Sequence, residues 1–214
     1  MIAMESNMEA TASARRKGGR PLSFDRDAAL EQAMRLFWRH GYETTSISDL
    51  THAMGITAPS LYTAFGDKRR LFLEAARRYA GDPEAIREAI DGAATARDAA
   101  AMLLTNAVVV FTGEATPPGC LLASATASGS AASSDVQAVV AGYRRAICDR
   151  LQARIERDMA NGALPNETDP ATLAALVVTM VQGLSVLARD GASRGLLSGV
   201  VDASLRAWPD PLLT

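Results

Sequence analysis

A chain of 214 residues, 48% hydrophobic and 21% charged, has the composition of a globular protein with a packed core, which excludes wholesale disorder. Its longest apolar runs, around 99–111 and 173–187, are interrupted by Thr, Asn or Gln, and no apolar leader precedes the basic N-terminal cluster; a cytoplasmic location and no membrane partner are therefore expected. Net charge is -2, with only two cysteines (Cys120, Cys148) and two histidines (His40, His52), too few for a disulfide framework or a zinc cluster, so no cofactor is expected.

The charge is unevenly spread. Residues 15–78 hold twelve Lys or Arg against seven Asp or Glu, and residues 81–214 hold ten against fifteen. A basic first part and an acidic second part point to two regions with different partners, the first of them nucleic acid. An architectural DNA-binding protein would carry basic charge throughout.

Residues 1–19 lack periodicity and end in Arg15, Arg16 and Lys17, with Arg20 just beyond; they read either as a solvated tail or as an arm that docks on phosphates. A first helix is expected from Ser23 or Asp25, with Leu30, Ala33, Met34 and Phe37 at helical spacing and Gly41 as its stop. Trp38 belongs to the core or to the lid of a pocket. Thr45 is placed to cap a second helix, whose inner face is Ile47, Leu50 and Met54 and whose end is Gly55 in a left-handed turn. Thr57 caps a third helix, Pro59 lies in its first turn, and Leu61 and Phe65 face inward. Its outer face, Ala58, Pro59, Tyr62 and Thr63, is slim and free of acid, as a helix entering a major groove about 12 Å wide requires. Gly66 ends it, and Asp67 caps a fourth helix opening on Lys68, Arg69 and Arg70, closed or kinked at Gly81, Asp82 and Pro83.

Beyond that point the pattern stays helical. A strongly apolar helix covers 96–111, a break holds Pro117 and Pro118, and a short apolar piece runs from Cys120 to Ala127. Ser134 caps a long helix to about Asn161, with Val136, Val139, Val140, Tyr143, Ile147, Leu151 and Ile155 on one face. Two further helices begin at Asp169 and Ser193. They are apolar over more circumference than one core contact needs and are dotted with small residues, which favours a homodimer sealed by a four-helix bundle over simple burial within one protomer. The expected fold class is all-α: a flexible basic arm (1–19), a three-helix helix-turn-helix DNA-binding domain (20–80), and a larger helical ligand-binding and dimerisation domain (81–214).

GRP at 19–21, followed by a helix ending RHGYETTSISDLTHAMGITAPSLYTAFGDKRRLF, closely resembles the DNA-binding domain of TetR/AcrR-family transcriptional regulators, over roughly residues 19–79. The later GCLLASA stretch looks like the ligand-binding domain of one subgroup. The resemblance implies a homodimeric repressor that binds a palindromic operator in double-stranded DNA and leaves it when a small-molecule effector enters the second domain. By matching position, Thr45, Tyr62 and Lys68 would contact phosphates and Thr57, Ala58, Pro59 and Thr63 would lie near base edges, with Ser60 and Arg20 completing the DNA-binding set. Ala64 departs from the family pattern, in which an aromatic residue often stands there. With no Arg, Asn or Gln on the outer face of the recognition helix, bidentate reading of guanine or adenine is missing, so specificity leans on methyl groups, Tyr62, water and DNA shape.

A hydrophobic effector cavity is expected, lined by Phe111, Cys120, Leu121, Met180 and Gln182. Cys120 follows Pro117, Pro118 and Gly119 at a helix start and has two readings: a small buried residue, or a thiolate that senses oxidants or electrophiles, as in some relatives with a similar GCL segment. No lysine follows Lys68, so a Cys–Lys link inside the second domain is excluded. GxSxG, P-loop, GxGxxG and HExxH patterns are all missing, which argues against an enzyme.

Overall fold

The structure, a computed structural model, describes residues 24–125 and 133–209; the basic arm and Arg20 lie outside them. Among the described residues every regular element is a helix: α1 (Arg26–His40), α2 (Ile47–Met54), α3 (Ala58–Phe65), α4 (Lys68–Ala80), α5 (Pro83–Gly92), α6 (Ala96–Phe111), α7 (Leu121–Ser124), α8 (Ser134–Ala160), α9 (Pro170–Arg189) and α10 (Arg194–Arg206).

Local chemistry sets most boundaries. Asp25 starts α1 by accepting from the amides of Asp27 and Ala28, and Asp67 starts α4 by accepting from the amide of Arg70. Asp82 with Pro83 and Asp169 with Pro170 repeat one device: a carboxylate caps the exposed amides while proline, which has none to lose, fills the first helical position. At 82–83 this device opens α5, a separate helix of ten residues, where the sequence reading expected only a stop or kink of the fourth helix. The predicted cap of the second helix is also corrected. Ser46, not Thr45, is the N-cap; it forms a reciprocal capping box with Asp49.

Two apolar clusters organise the molecule. One joins α1 to α4 (Leu30, Phe37, Trp38, Leu50, Leu61, Phe72) and extends to Leu121, Ala125, Val136 and Val140. The other joins α5, α6, α8, α9 and α10 around Ile90, Leu104, Leu151, Ile155, Val177 and Leu197. Helix α8, 27 residues long, serves both. Helix α9, at 20 residues, is long and apolar enough by length and composition to cross a membrane, yet Leu173, Ala174, Val177, Leu184 and Ala188 pack into the second cluster.

One feature of α8 interrupts its apolar stripe. Arg154 and Asp158 are each only 4% exposed and pair with one another. Arg154 also donates to the carbonyls of Ala93 (3.0 Å) and Ala94 (2.7 Å), and Asp158 accepts from the amide of Ala96 at 2.6 Å. The pair thereby ties α8 to the α5–α6 connection and satisfies polar groups at the end of one helix and the start of the next.

Candidate DNA-contacting face and effector domain

The α2–turn–α3 unit is held from beneath. Leu50, Met54, Leu61 and Phe65 are buried, and Gly55 turns the chain between the helices at φ +66°, a conformation that costs an L-residue about 1–2 kcal/mol. Thr57 caps α3, its hydroxyl 3.0 Å from that of Ser60. At the far end of α3, Arg26 of α1 stacks 4.5 Å over the ring of Phe65, donates to the Ala64 carbonyl and forms a two-pronged pair with Glu74 of α4 at 2.6 and 2.7 Å. This clamp fixes the pitch of α3 and was not anticipated, because its two charges stand 48 residues apart.

Of the expected outer face of α3, Pro59, Tyr62 and Thr63 are exposed and Ala58 is not. Thr57 is exposed as well, with Tyr62 the most prominent apolar group at 51%, while Ala58 and Ser60 are half-buried. The Thr63 hydroxyl donates back to the Pro59 carbonyl at 2.8 Å, so its proton is committed within the helix. Lys68 stands beside this face with its ammonium 4.6 Å from the centroid of the Tyr42 ring and donating to the Glu43 carbonyl at 3.2 Å. Partial burial lowers its pKa from the usual 10.5, a cost that an incoming phosphate would offset. The Ser46 hydroxyl and amide hold the Asp49 carboxyl below its ordinary range, which keeps the capping box ionised.

Thr45 is corrected as a side-chain phosphate contact. It is 2% exposed, and its hydroxyl donates inward to the Gly41 carbonyl at 2.7 Å. Its work is to close the α1–α2 turn.

Of the predicted cavity residues, three belong to or pack against one cluster and a fourth lies in the other. Leu121 is completely buried in the cluster beneath the DNA-binding helices, Phe111 and Cys120 are buried in the other cluster, and Met180 is partly buried against that second cluster. Gln182 is half-buried on α9. A concavity of about 200 Å³ lies between α5 and α6, lined by Ala85, Ile86, Ala89, Met102, Leu103 and Asn106. None of the five expected residues borders it.

Cys120 occupies a joint between the two halves. Its amide donates to the Ser185 hydroxyl at 2.8 Å, and its carbonyl accepts from Arg189, which also donates to the Trp38 carbonyl at 2.8 Å. The Trp38 indole N–H in turn donates to Gly119 at 2.8 Å. Tyr79 stacks edge-on against Trp38 at 4.8 Å, and burial pushes its phenol up, the neighbouring Cys120 adding to the effect. Helix α7, which Cys120 heads, has four residues, so it offers at most one turn of aligned amides.

The family pattern described as "Bacterial regulatory proteins, tetR family" matches residues 29–75, and that of the "Tetracyclin repressor-like, C-terminal domain" matches residues 96–195. The HTH-type transcriptional repressor ComR of Escherichia coli K12 is 36% identical over 205 residues, spanning 94% of this chain and 97% of that protein. Among solved structures, a cysteine mutant of the TetR family transcriptional regulator CifR complexed with 26-bp operator DNA is 42% identical, covers 89% of this chain and 100% of that one, and superposes with a TM-score of 0.81. A regulator from Rhodococcus sp. RHA1 is 39% identical over 87% of this chain and 100% of that one, with a TM-score of 0.60.

Proposed function

Because the chain belongs to the TetR family of DNA-binding transcriptional regulators, and is not an enzyme, we propose that two copies grip a palindromic operator as a repressor and release it when a small molecule enters the second domain. The observation that carries this reading is the rigidly mounted α3 face, with Thr57, Pro59, Tyr62 and Thr63 turned outward beside Lys68. Tyr62 and Lys68 supply phosphate contacts; Thr57, Ala58, Pro59 and Thr63 lie nearest the bases. Ser60 supports the start of α3 through Thr57.

Pairing of protomers is assigned to α9 and α10. Leu176, Val186, Leu187, Leu196 and Val200 are all exposed there, and a second copy of the same two helices would cover them. In such a dimer the separation of the two α3 helices decides whether both fit half-sites about 34–36 Å apart. An effector that binds the ill-fitting separation more tightly shifts the population and frees the DNA. Its path to α3 runs through α4 and through the Trp38–Gly119–Arg189 joint.

A second reading draws on the same joint: covalent addition of an electrophile to the Cys120 sulfur would wedge it open. If Cys120→Ser leaves release by a panel of electrophiles unchanged, that reading fails. The main reading is tested by selecting bound fragments from the source genome and footprinting them. One protected palindrome is the expected result, and uniform coverage of unrelated DNA would overturn it.

A further inference from the structure

Arg144 stands on the inner stripe of α8, in helical register with Val140, Ile147 and Leu151. Val140 belongs to the cluster beneath the DNA-binding helices and Leu151 to the effector-domain cluster. Between them, residues 141–150 include no fully buried side chain. The helix therefore crosses from one core to the other, and at the middle of its inward face it carries a guanidinium. Nη1 of that guanidinium is buried and has no hydrogen-bond partner.

Nε of Arg150 and Nε of Arg154 are also buried without a partner, but each of those side chains holds a carboxylate, whereas no ion pair involves Arg144 among the described residues. Arg69 pairs with Asp135, Arg87 and Arg150 share Asp91, and Arg154 holds Asp158. Asp149, the acid nearest Arg144 in sequence, is exposed on the opposite side of the helix. Burying a charged donor without an acceptor is unfavourable, and such a group in a native fold calls for an explanation. Tyr79, Val110 and Leu122 each pack against both clusters, so the seam between the two cores, which α8 crosses at the level of Arg144, includes apolar groups. Arg144 itself is only partly buried, which leaves it within reach of a solute.

We propose that Arg144 is the anion receptor of the effector site, and that the effector class is an amphiphile with an apolar body and one carboxylate. A guanidinium presents paired donors that match a carboxylate in two-pronged fashion. Phosphate fits less well, because its near-double charge would meet a single unmatched cation. This assignment rests on the reading of the second domain as the effector domain.

The test compares octanoate, decanoate and dodecanoate with the alcohols of equal chain length, by calorimetry on the full-length protein. The wild type is expected to bind at least one carboxylate tenfold or more tightly than its alcohol. Arg144→Met should erase that preference without changing the affinity for the alcohol, Arg144→Lys should retain part of it, and Arg145→Met, on the exposed face, should retain all of it. Parity in the wild type, or a preference that survives Arg144→Met, overturns the proposal. A parallel measurement on recovered operator fragments separates the two readings. Carboxylate binding without DNA release refutes the effector role and leaves the anion site standing, whereas release by alcohols as readily as by carboxylates refutes the anion site.

Discussion

Replacing Asp158 by Ala probes the buried pair on α8. The substitution leaves the Arg154 guanidinium 4% exposed with only the carbonyls of Ala93 and Ala94 as partners, and strips the Ala96 amide of its acceptor. Breaking a buried pair by deleting one charge costs about 3–5 kcal/mol, and an orphaned buried amide about 1–3 kcal/mol, the two overlapping. We therefore expect a loss of about 3–5 kcal/mol. For a chain of this size that lowers the melting temperature by roughly 6–20 °C, at about 2–4 °C per kcal/mol. Thermal or urea melts must be run at one fixed protomer concentration, because the proposed pairing of protomers would add its own stabilisation. The double variant Arg154→Met with Asp158→Leu removes the uncompensated guanidinium but leaves the Ala96 amide and the Ala93 and Ala94 carbonyls without their partners, so it should recover only part of the loss. A single variant that loses less than about 1 kcal/mol, or a double variant no better than the single, would refute the account.

Three further outcomes are expected. Gly119→Ala places a Cβ 2.7 Å from Nε of Arg189 and 2.8 Å from the Ser185 carbonyl, at φ +76°; it should destabilise the protein by about 2 kcal/mol or more, seen as a lower melting temperature, and an unchanged melt would show that the joint is loose. Tyr62→Ala removes a side chain that is half exposed and should change stability by no more than about 0.5 kcal/mol, while weakening operator binding in a gel-shift titration; equal affinity would remove Tyr62 from the interface. Phosphate favours protonated Lys68, whose free pKa lies below 10.5, so binding takes up a proton once the pH passes that lowered value. Operator affinity should therefore decline earlier on the alkaline side in the wild type than in Lys68→Arg, and identical pH profiles would show that Lys68 meets no phosphate.

The DNA-contacting unit was legible because its determinants are local: a cap, a periodic inner face and a glycine stop, each within a few residues of the others. That same locality explains the slip at Thr45. Two hydroxyls stand side by side, and only the three-residue reach from Ser46 to Asp49 closes the capping box. Helix α5 is hard to read because an Asp–Pro pair can follow one helix and open the next, as Asp82–Pro83 does, and ten residues with one fully buried side chain, Ile90, leave little periodicity to find. The clamp of Arg26 on α3 and the Trp38–Gly119–Arg189 joint depend on residues far apart in the chain, where no spacing rule applies. Apolarity, which singles out Phe111, Leu121 and Met180 in the sequence, is shared with ordinary core, and Leu121 is core of the opposite half.

That last placement bears on how regulators of this kind can be recombined. Leu121, Ala125, Val136 and Val140 are lent by the effector half to the foundation under the DNA-reading helices. Residues 20–80 expressed alone would present an uncovered greasy underside, and a chimera joined at Gly81 to a foreign sensor would inherit the same defect. A transplant that keeps its specificity must carry α7 and the first two turns of α8 along with the helices that touch DNA, so the exchangeable unit is a surface drawn in space, not a cut made in the chain.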